Sequence, residues 1–368
     1  MLGLALPGKN LHRWILGYAR ALLERAAEAE PVGPRHVLVA LCDHFEPLWG
    51  GASDATGSQR VERWLRGYPE LARAFRDSDG RPPRHSFFFP LEQYRPEYLE
   101  MLASLTRDGL AEVELHLHHD ADTAENLEHT LQKGVQSFSR HGLLGRDRAD
   151  RIRYGFIHGN WCLANSRRDG RWCGVDNELE LLFATGCYAD FTFPSAPDET
   201  QPGIVDRIYW PAGDPSRARA HEHGERARVG SARDDRVLCI QGPLALCPGG
   251  RFGLRIENGA LSARDPATPR RAKSWLAQAI HVEGRSDWIF VKLHTHGAPE
   301  PQADSLLGDG GRALHQALGA LCTDGSRFLL HYVTAREMFN VALAAMHGRS
   351  GDPAGYLSYE ISAPPVMS

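Results

Sequence analysis

Residues 112–120 read EVELHLHHD, and this stretch is the most informative of the chain. Residues of equal parity share one face of a β-strand, so Glu114, His116 and His118 project to one side while the leucines project to the other. Two histidines at i and i+2 lie close enough to share one ion. A pair of core histidines satisfied by the backbone is the alternative. We interpret the stretch as a strand that ends in metal ligands.

Other apolar runs end in histidines in the same way. His44 ends HVLVALCDH (36–44), His158 ends RYGFIH (153–158), and His294 and His296 end IFVKLHTH (289–296). Helical periodicity separates these runs, which gives about seven or eight βα units. The predicted fold class is therefore α/β, a distorted (β/α)7-8 barrel with a β-rich insertion. Because strand carboxyl ends meet at one rim of such folds, we expect the histidines to converge there.

The chain is expected to divide into three parts. Residues 1–35 contain an N-terminal amphipathic helix, residues 36–348 form the barrel, and residues 349–368 form a C-terminal tail. A segment at about 212–265 is rich in Arg, Gly and Asp, and we interpret it as the insertion. Its ENG sequence (257–259) indicates a hairpin turn. The N-terminal helix is expected to pack on the body of the protein, with peripheral membrane contact as the alternative.

Bulk composition limits the partners. The formal net charge is −4 and no basic run is present, so we expect no nucleic-acid partner. No stretch reaches the length of apolar chain that spans a bilayer, and no secretory signal is visible. The cysteines number seven and form no CxxC pair. A cytoplasmic protein is expected, with contact at the inner membrane as the alternative, and the oligomeric state is not predicted.

The first and last of these strands carry further ionisable groups. Asp43, His44 and Glu46 follow the apolar positions of the first strand, where a carboxylate without a cation is costly. Lys292, His294 and His296 share one face at the end of a late strand. A histidine opposite a metal is suited to protonate a leaving group. We expect one divalent metal, zinc first, held by His116, His118 and either Asp43 or His44.

The order of these motifs resembles the polysaccharide deacetylase superfamily, of the chitin-oligosaccharide deacetylase type, over residues 36–340. That family ends its first strand in an acidic pair, a catalytic base followed by a metal ligand, and Asp43 and His44 occupy this place. Its two metal histidines usually read HxxxH, and the HxH of this chain is similar to a divergent branch. His158 stands where the family has an arginine. The family's last motif, Leu-x-His, carries the general acid, and His294 is matched to it although it follows Leu293 directly.

The resemblance implies a metal-dependent carbohydrate-active hydrolase, a sugar de-N- or O-acylase of bacterial surface polysaccharide biosynthesis. Asp43 would be the base and His294 the acid. The residues expected to bind substrate are Glu114, His158, Asn160, Trp161, Trp210, Lys292 and His296. The 212–265 segment is expected to form one wall of the cleft. The alternatives are a glycoside hydrolase that uses Glu46, Glu114 or Asp190, and a non-catalytic sugar-binding protein with a degenerate site.

Overall fold

The computed structural model describes residues 9–249, 253–322 and 325–366. Its strands are β1 (Arg35–His44), β2 (His85–Pro90), β3 (Ala111–Leu117), β4 (Tyr154–His158), β5 (Cys187–Asp190), β6 (Ile208–Pro211), β7 (Gly224–Arg226), β8 (Leu238–Ile240), β9 (Ala245–Pro248), β10 (Leu254–Glu257), β11 (Trp288–Thr295) and β12 (Phe328–Tyr332). Its helices are α1 (Leu11–Ala27), α2 (Asp54–Arg73), α3 (Pro96–Arg107), α4 (Ala124–Arg140), α5 (Glu178–Ala184), α6 (Pro269–Ala277), α7 (Glu300–Leu307), α8 (Asp309–Leu321) and α9 (Ala335–Met346).

One large sheet organises the molecule. Its strand order is β11-β1-β2-β3-β4-β5-β8-β6-β7, and β12 also pairs with β1. The pairs from β11 to β8 are parallel, while β6 runs antiparallel to β8 and to β7. The carboxyl ends of β1, β3, β4 and β11 therefore meet at one edge of the sheet, as the alternation of strands and helices predicted.

The two faces of the sheet carry different partners. In β1, Val37 and Val39 point outward, where helices α2 to α8 cover the sheet. Leu38 and Ala40 point to the concave side. This side is filled by α9, every residue of which is buried. Helix α9 therefore lies inside the curve of the sheet, where a regular barrel has only strand side chains.

The sheet remains open. Among the described residues, no strand pairing joins β11 to β6 or β7. An eight-stranded barrel encloses a space just wide enough for side chains, whereas a helix with its side chains is about 10–12 Å across. A sheet that surrounds α9 must therefore spread. The α/β class and the large, mainly parallel sheet are confirmed, but closure into a barrel is not.

The predicted insertion at 212–265 has two different parts. Strand β8 belongs to the main sheet, between β5 and β6, so this part is not an insertion. Strands β9 and β10 form a separate antiparallel pair, as expected for a β-rich insertion. The ENG sequence (257–259) begins at the last residue of β10 and does not form the turn between β9 and β10. It leads instead to Ala260, which pairs with His294 at the end of β11.

The ends of the chain pack on the body. In α1, Leu11, Trp14 and Tyr18 contact a small core that includes Val205 and Leu244. Residues 1–8 of the expected N-terminal region lie outside the described residues. No helix in the described part of the chain is long and apolar enough to cross a bilayer. Membrane contact through α1 stays a prediction.

The segment predicted as a tail also belongs to the fold. Leu357 and Ile361 are buried, and their carbonyl oxygens accept hydrogen bonds from Arg336 at 3.0 and 2.8 Å. Asn340 donates to the same two carbonyls. Since Arg336 and Asn340 lie on α9, this segment fixes the inner helix in place.

Candidate metal centre at the strand ends

Five side chains meet at the carboxyl ends of β1, β3 and β11. They are His44, Glu46, His116, His118 and His296, which we call the rim cluster. His44 ends β1 and His116 lies in β3, while the other three follow directly after strands. Side chains alternate between the two faces of a strand, and this alternation turns His44 and His116 to the concave side. Histidines that are far apart in the sequence therefore lie together in space.

Glu46 is the centre of this cluster. Its side chain is fully buried, and Oε1 lies 3.3 Å from His116 Nε2 and 3.0 Å from His118 Nε2. Oε2 lies 3.4 Å from His296 Nδ1. Burial raises the pKa of Glu46, but its contacts with these three histidines outweigh burial and hold the pKa well below its usual range. The carboxylate is therefore ionised and requires positive charge beside it.

Hydrogen bonds fix which nitrogen His116 and His118 present to Glu46. His116 Nδ1 lies 3.0 Å from the carbonyl oxygen of Ile157, and His118 Nδ1 lies 2.6 Å from Glu92 Oε1. Each Nδ1 then carries the ring hydrogen, which leaves the Nε2 lone pairs facing the Glu46 carboxylate. The Nε2 lone pairs and the carboxylate oxygens repel each other unless a proton or a metal cation lies between them.

Electrostatics at His118 show the same demand for positive charge. Burial lowers the pKa of His118, but its hydrogen bonds with Glu46 and Glu92 outweigh burial and raise the pKa to about 9. Two carboxylates thus hold one extra proton in this place. A divalent cation satisfies the same charge requirement, and a carboxylate behind a ligating histidine is a recurrent partner in metal sites.

His44 provides the test of whether the residues fit a cation. Both of its ring nitrogens are buried and have no hydrogen-bond partner among the described residues. Its ring centroid lies 4.8 Å from that of His116 and 4.6 Å from that of His296. Burial and the neighbouring His296 hold the pKa of His44 well below its usual range. A neutral imidazole with unpaired nitrogens is the form that binds metal, so the donor set fits.

Asp43, expected as base or ligand, lies outside the rim cluster. It has the parity of Val37 and Val39 and therefore faces the outer helices. Its Oδ2 lies 2.9 Å from His85 Nε2, and the backbone N–H of Gly297 donates to Oδ1 at 2.5 Å. The side chain is fully buried. Asp43 therefore fixes the turn after His296 and faces away from the rim cluster.

The expected acid His294 and two expected substrate-binding residues lie beneath the rim cluster. His294 is 5% exposed and Lys292 is 1% exposed. Burial and nearby Lys292 hold the pKa of His294 well below its usual range, so the imidazole is neutral at neutral pH. Burial raises the pKa of Glu114 to about 8, and its carboxyl group hydrogen-bonds with Tyr188 and Gly155. These side chains face the interior, out of reach of a bulky substrate.

The aromatic residues divide between the rim and the core. The ring centroid of Trp161 lies 6.3 Å from those of His44 and His296. Trp49, which is 53% exposed, lies 6.0 Å from His296 by the same measure. Trp210 is only 2% exposed and packs in the inner core, so it does not face the rim as expected. Trp161 and Trp49 thus border the open side of the cluster.

His158 and Asn160 belong to a neighbouring group. The His158 ring points to the outer face and lies beside His119 at a centroid distance of 4.8 Å. Its Nδ1 accepts a hydrogen bond from the backbone N–H of Asn160 at 3.2 Å. His158 therefore does not join the rim cluster, in contrast to the expectation that strand-end histidines form one site.

Two carboxylates of the site had little or no role in the sequence-based interpretation. Glu46 was a candidate only for glycosidic chemistry, although it follows His44 at i+2, the spacing that marked His116 and His118. Glu92 lies in a short turn after β2, where no periodicity indicates its direction. Its approach to His118 depends on the pairing of β2 with β3.

Comparison with known proteins assigns no family. No family model matches the chain, and no curated protein matches it. A solved structure of a candidate glycoside hydrolase/deacetylase from Parabacteroides distasonis is 11% identical over 85% of this chain and 72% of that chain, with a TM-score of 0.46. An alpha-mannosidase from Enterococcus faecalis V583 is 10% identical over 84% of this chain and 29% of that chain, with a TM-score of 0.41.

Proposed function

We propose that this chain is a metal-dependent hydrolase of a carbohydrate substrate, and that it removes an acyl group from a sugar. The arrangement of His116, His118 and Glu46 supports this proposal. Two imidazoles with fixed Nδ1 atoms direct their lone pairs at one buried carboxylate, and unpaired His44 stands beside them. This donor set of imidazole nitrogen and carboxylate oxygen suits zinc.

Three of the four donors His44, Glu46, His116 and His118 would hold the ion, which leaves its fourth position open to water or substrate. The cluster opens to solvent through His118 and His296, whose side chains are 25% and 33% exposed. A metal site that solvent can reach from one side is typical of a catalytic centre, because a structural metal site is closed. A divalent cation bound here would polarise the acyl oxygen as a Lewis acid and favour attack by water at neutral pH.

His296 is the residue placed to move a proton. Its Nδ1 faces Glu46 Oε2 at 3.4 Å, which orients the ring, and a third of its side chain reaches solvent. We assign it the proton transfer expected of His294, because buried His294 has no comparable access. Asp43 acts as a positioning residue, since it holds the backbone N–H of Gly297 and so the turn that carries His296.

The sugar would lie against Trp49 and Trp161. Flat aromatic rings beside a polar centre are common in sites that bind small molecules, where they supply contact area while polar groups fix orientation. Trp161 has a positive φ of 57°. A non-glycine residue in this region costs free energy, and such residues concentrate at functional sites.

The glycosidase alternative needs two carboxylates on either side of a glycosidic bond. Glu114 is 4% exposed and bonded to Tyr188. Asp190 is 1% exposed and accepts a hydrogen bond from Thr192 Oγ1 at 2.7 Å. Neither is free to face a substrate. A role in surface polysaccharide synthesis and contact with a membrane stay predictions.

The test is to measure what the metal-loaded protein releases from acetylated oligosaccharides. Protein stripped with a chelator and reloaded with Zn²⁺ should liberate acetate while the chain length of the sugar stays unchanged. The double variant His116→Ala/His118→Ala should lose this activity together with its rim metal. His129→Ala is the matched control, because His129 is exposed on α4, away from the strand ends.

Three outcomes separate the alternatives. Shortened sugars without acetate would favour the glycosidase. Binding without any product would favour a sugar-binding protein. Activity that persists in the metal-free double variant would contradict a metal-dependent reaction at the rim cluster.

A further inference from the structure

A second group of metal-binding residue types lies beside the rim cluster, and the proposed function does not use it. It consists of His119, His158, Cys173 and Glu178, which we call the loop cluster. His119 follows β3, His158 ends β4 and Glu178 begins α5. Cys173 lies in the loop between β4 and α5. Four separate segments thus bring one donor each to a common point.

The distances from Glu178 to the other three members of the loop cluster are close to those between ligands of one metal ion. Glu178 Oε1 lies 3.2 Å from His119 Nε2 and 3.8 Å from His158 Nε2. Glu178 Oε2 lies 3.5 Å from Cys173 Sγ. Tetrahedral zinc, with bonds of about 2.0–2.3 Å, separates neighbouring ligand atoms by roughly 3.3–3.6 Å. The observed separations lie close to this range.

The loop cluster is closed, in contrast to the rim cluster. His158, Cys173 and Glu178 are fully buried, and the side chain of His119 is 7% exposed. Structural zinc sites have four protein ligands and no open position, and they combine cysteine with histidine. A buried sulfur, two imidazoles and a carboxylate supply four zinc donors and leave no open position.

His158 carries an unpaired atom that points to a ligand. Its Nε2 is buried without a hydrogen-bond partner among the described residues. Because Nδ1 accepts from the N–H of Asn160, the ring hydrogen lies on Nε2, and at 3.8 Å from Glu178 it makes no hydrogen bond. A bound cation would replace the hydrogen on Nε2 and accept the lone pair of that nitrogen. The ring hydrogen would then move to Nδ1, at the expense of the Asn160 contact.

The loop that contains Cys173 is held in place from the other side. The backbone N–H of Asp122 donates to the carbonyl of Cys173 at 2.9 Å. Gly174 has a φ of +98°, and a Cβ at this position would lie 2.7 Å from the backbone nitrogen of Asp122. Only glycine permits this close approach. Cys173 is thus brought to the end of β3, where His119 lies.

We propose that the loop cluster is a second, structural zinc site with Cys173 bound as the thiolate. The thiol releases its proton to solvent, and the negative thiolate and carboxylate together balance the charge of Zn²⁺. The ion would tie the loop between β4 and α5 to the ends of β3 and β4. This loop begins at Gly159, where a Cβ would lie 2.3 Å from the ring of His118. The second site would therefore support the wall of the rim cluster.

Cobalt substitution tests the proposal without any measurement of activity. Metal-free protein is loaded with Co²⁺, and its near-ultraviolet absorption is recorded. A thiolate ligand gives a sulfur-to-cobalt charge-transfer band, which the rim cluster cannot give because it contains no cysteine. We expect two equivalents of Co²⁺ per chain and this band in the wild-type protein.

Variants assign the band to its ligand. Cys173→Ser should lose the band and one equivalent of metal. Cys162→Ser is the matched control, since Cys162 is buried in the same loop but bonds to the carbonyl of Asn160. His116→Ala/His118→Ala should keep the band and lose the other equivalent. This result separates the loop cluster from the proposed hydrolytic centre.

Two outcomes would overturn the proposal. One is a cobalt-loaded wild-type protein without the charge-transfer band, which decides the question even if Cys173→Ser does not fold. The other is a band that Cys162→Ser removes and Cys173→Ser retains.

Discussion

Asp43 and His44 are neighbours in the chain, but their side chains lie on opposite faces of β1. Asp43 Oδ2 lies 2.9 Å from His85 under the outer helices, while the His44 ring lies 4.8 Å from that of His116 on the concave side. Adjacent residues of a strand cannot face the same site. The pair therefore divides into one residue that faces the rim cluster and one that packs under the outer helices.

This division leads to a first prediction. His44→Ala should lower the metal content of the rim cluster, because it removes a donor that has no other partner. Asp43→Asn should leave one equivalent bound there and mainly lower stability, because it weakens a charged hydrogen bond worth about 1.5–3 kcal/mol. Elemental analysis and urea unfolding measure the two effects. Full metal content in His44→Ala, or its loss in Asp43→Asn alone, would contradict this assignment.

A second prediction concerns Glu92, which lies behind His118 and outside the ligand set. Glu92→Gln should weaken metal binding about 10–100-fold, since such partners orient the ligating imidazole and raise its basicity. Competition with a chromogenic chelator gives the affinity. Glu97→Gln on α3 is the control, because Glu97 is exposed and bears on no ligand. Equal affinities in the two variants would exclude this role of Glu92.

A third prediction follows from the buried pair of Glu112 and Arg336. Arg336 Nη2 and Nε donate to the two Glu112 oxygens at 2.7 and 3.0 Å, and both residues are 2% exposed. Burial raises the pKa of Glu112, but Arg336 and Arg84 outweigh burial and lower it. A carboxylate with a lowered folded-state pKa stabilises the protein above its unfolded pKa. This stabilisation is lost as the pH falls through the folded-state pKa.

Glu112→Gln should therefore lower the free energy of unfolding by about 3–5 kcal/mol at neutral pH. The difference from the wild-type protein should shrink below about pH 4, where the unfolded carboxylate is protonated. Urea unfolding across this pH range measures it. Glu62→Gln, which breaks the exposed pair with Arg66, should cost about 0–1 kcal/mol. A difference for Glu112→Gln that grows toward acid pH would contradict the sign.

A fourth prediction concerns substrate binding. Trp49→Ala should raise KM about 2–10-fold with little change in kcat, because an aromatic contact of about 0.5–1.5 kcal/mol is made equally before and during reaction. Trp210→Phe should instead change stability and leave KM unaltered, since Trp210 is buried. Steady-state kinetics and thermal unfolding distinguish the two. A KM effect of Trp210→Phe with none for Trp49→Ala would reverse this assignment.

Local patterns predicted much of the fold. The run 112–117 became β3 with its leucines outward. Helical periodicity near 95–108 and 122–142 predicts the helices that are observed as α3 and α4. These elements are fixed by periodicity, which is present in the sequence. The same periodicity predicts one helix near 303–322, where the structure has two, α7 and α8. Gly308, between them, adopts ψ of −131°, a break that the apolar spacing did not show.

The candidate site was less accessible from sequence than the fold. The meeting of His116 and His118 follows from a period of two along one strand, and parity also decides between Asp43 and His44. Residues that meet from different segments of the chain have no sequence periodicity that would predict their contact. Cys173 and His119 approach each other only after the loop, β3 and α5 are in place. Trp210 could not be assigned because strand β6 is buried on both faces.

Helix α9 has a consequence for how this chain acquires its structure. It is the last α-helix of the described chain, yet it fills the concave side of strands that begin at residue 35. During synthesis those strands would curve around an empty centre until residues 335–346 emerge. Contacts between such distant parts of a chain form slowly, and an uncovered apolar face promotes association with other chains. Truncation before residue 335 should therefore leave an aggregating species and not a smaller folded protein.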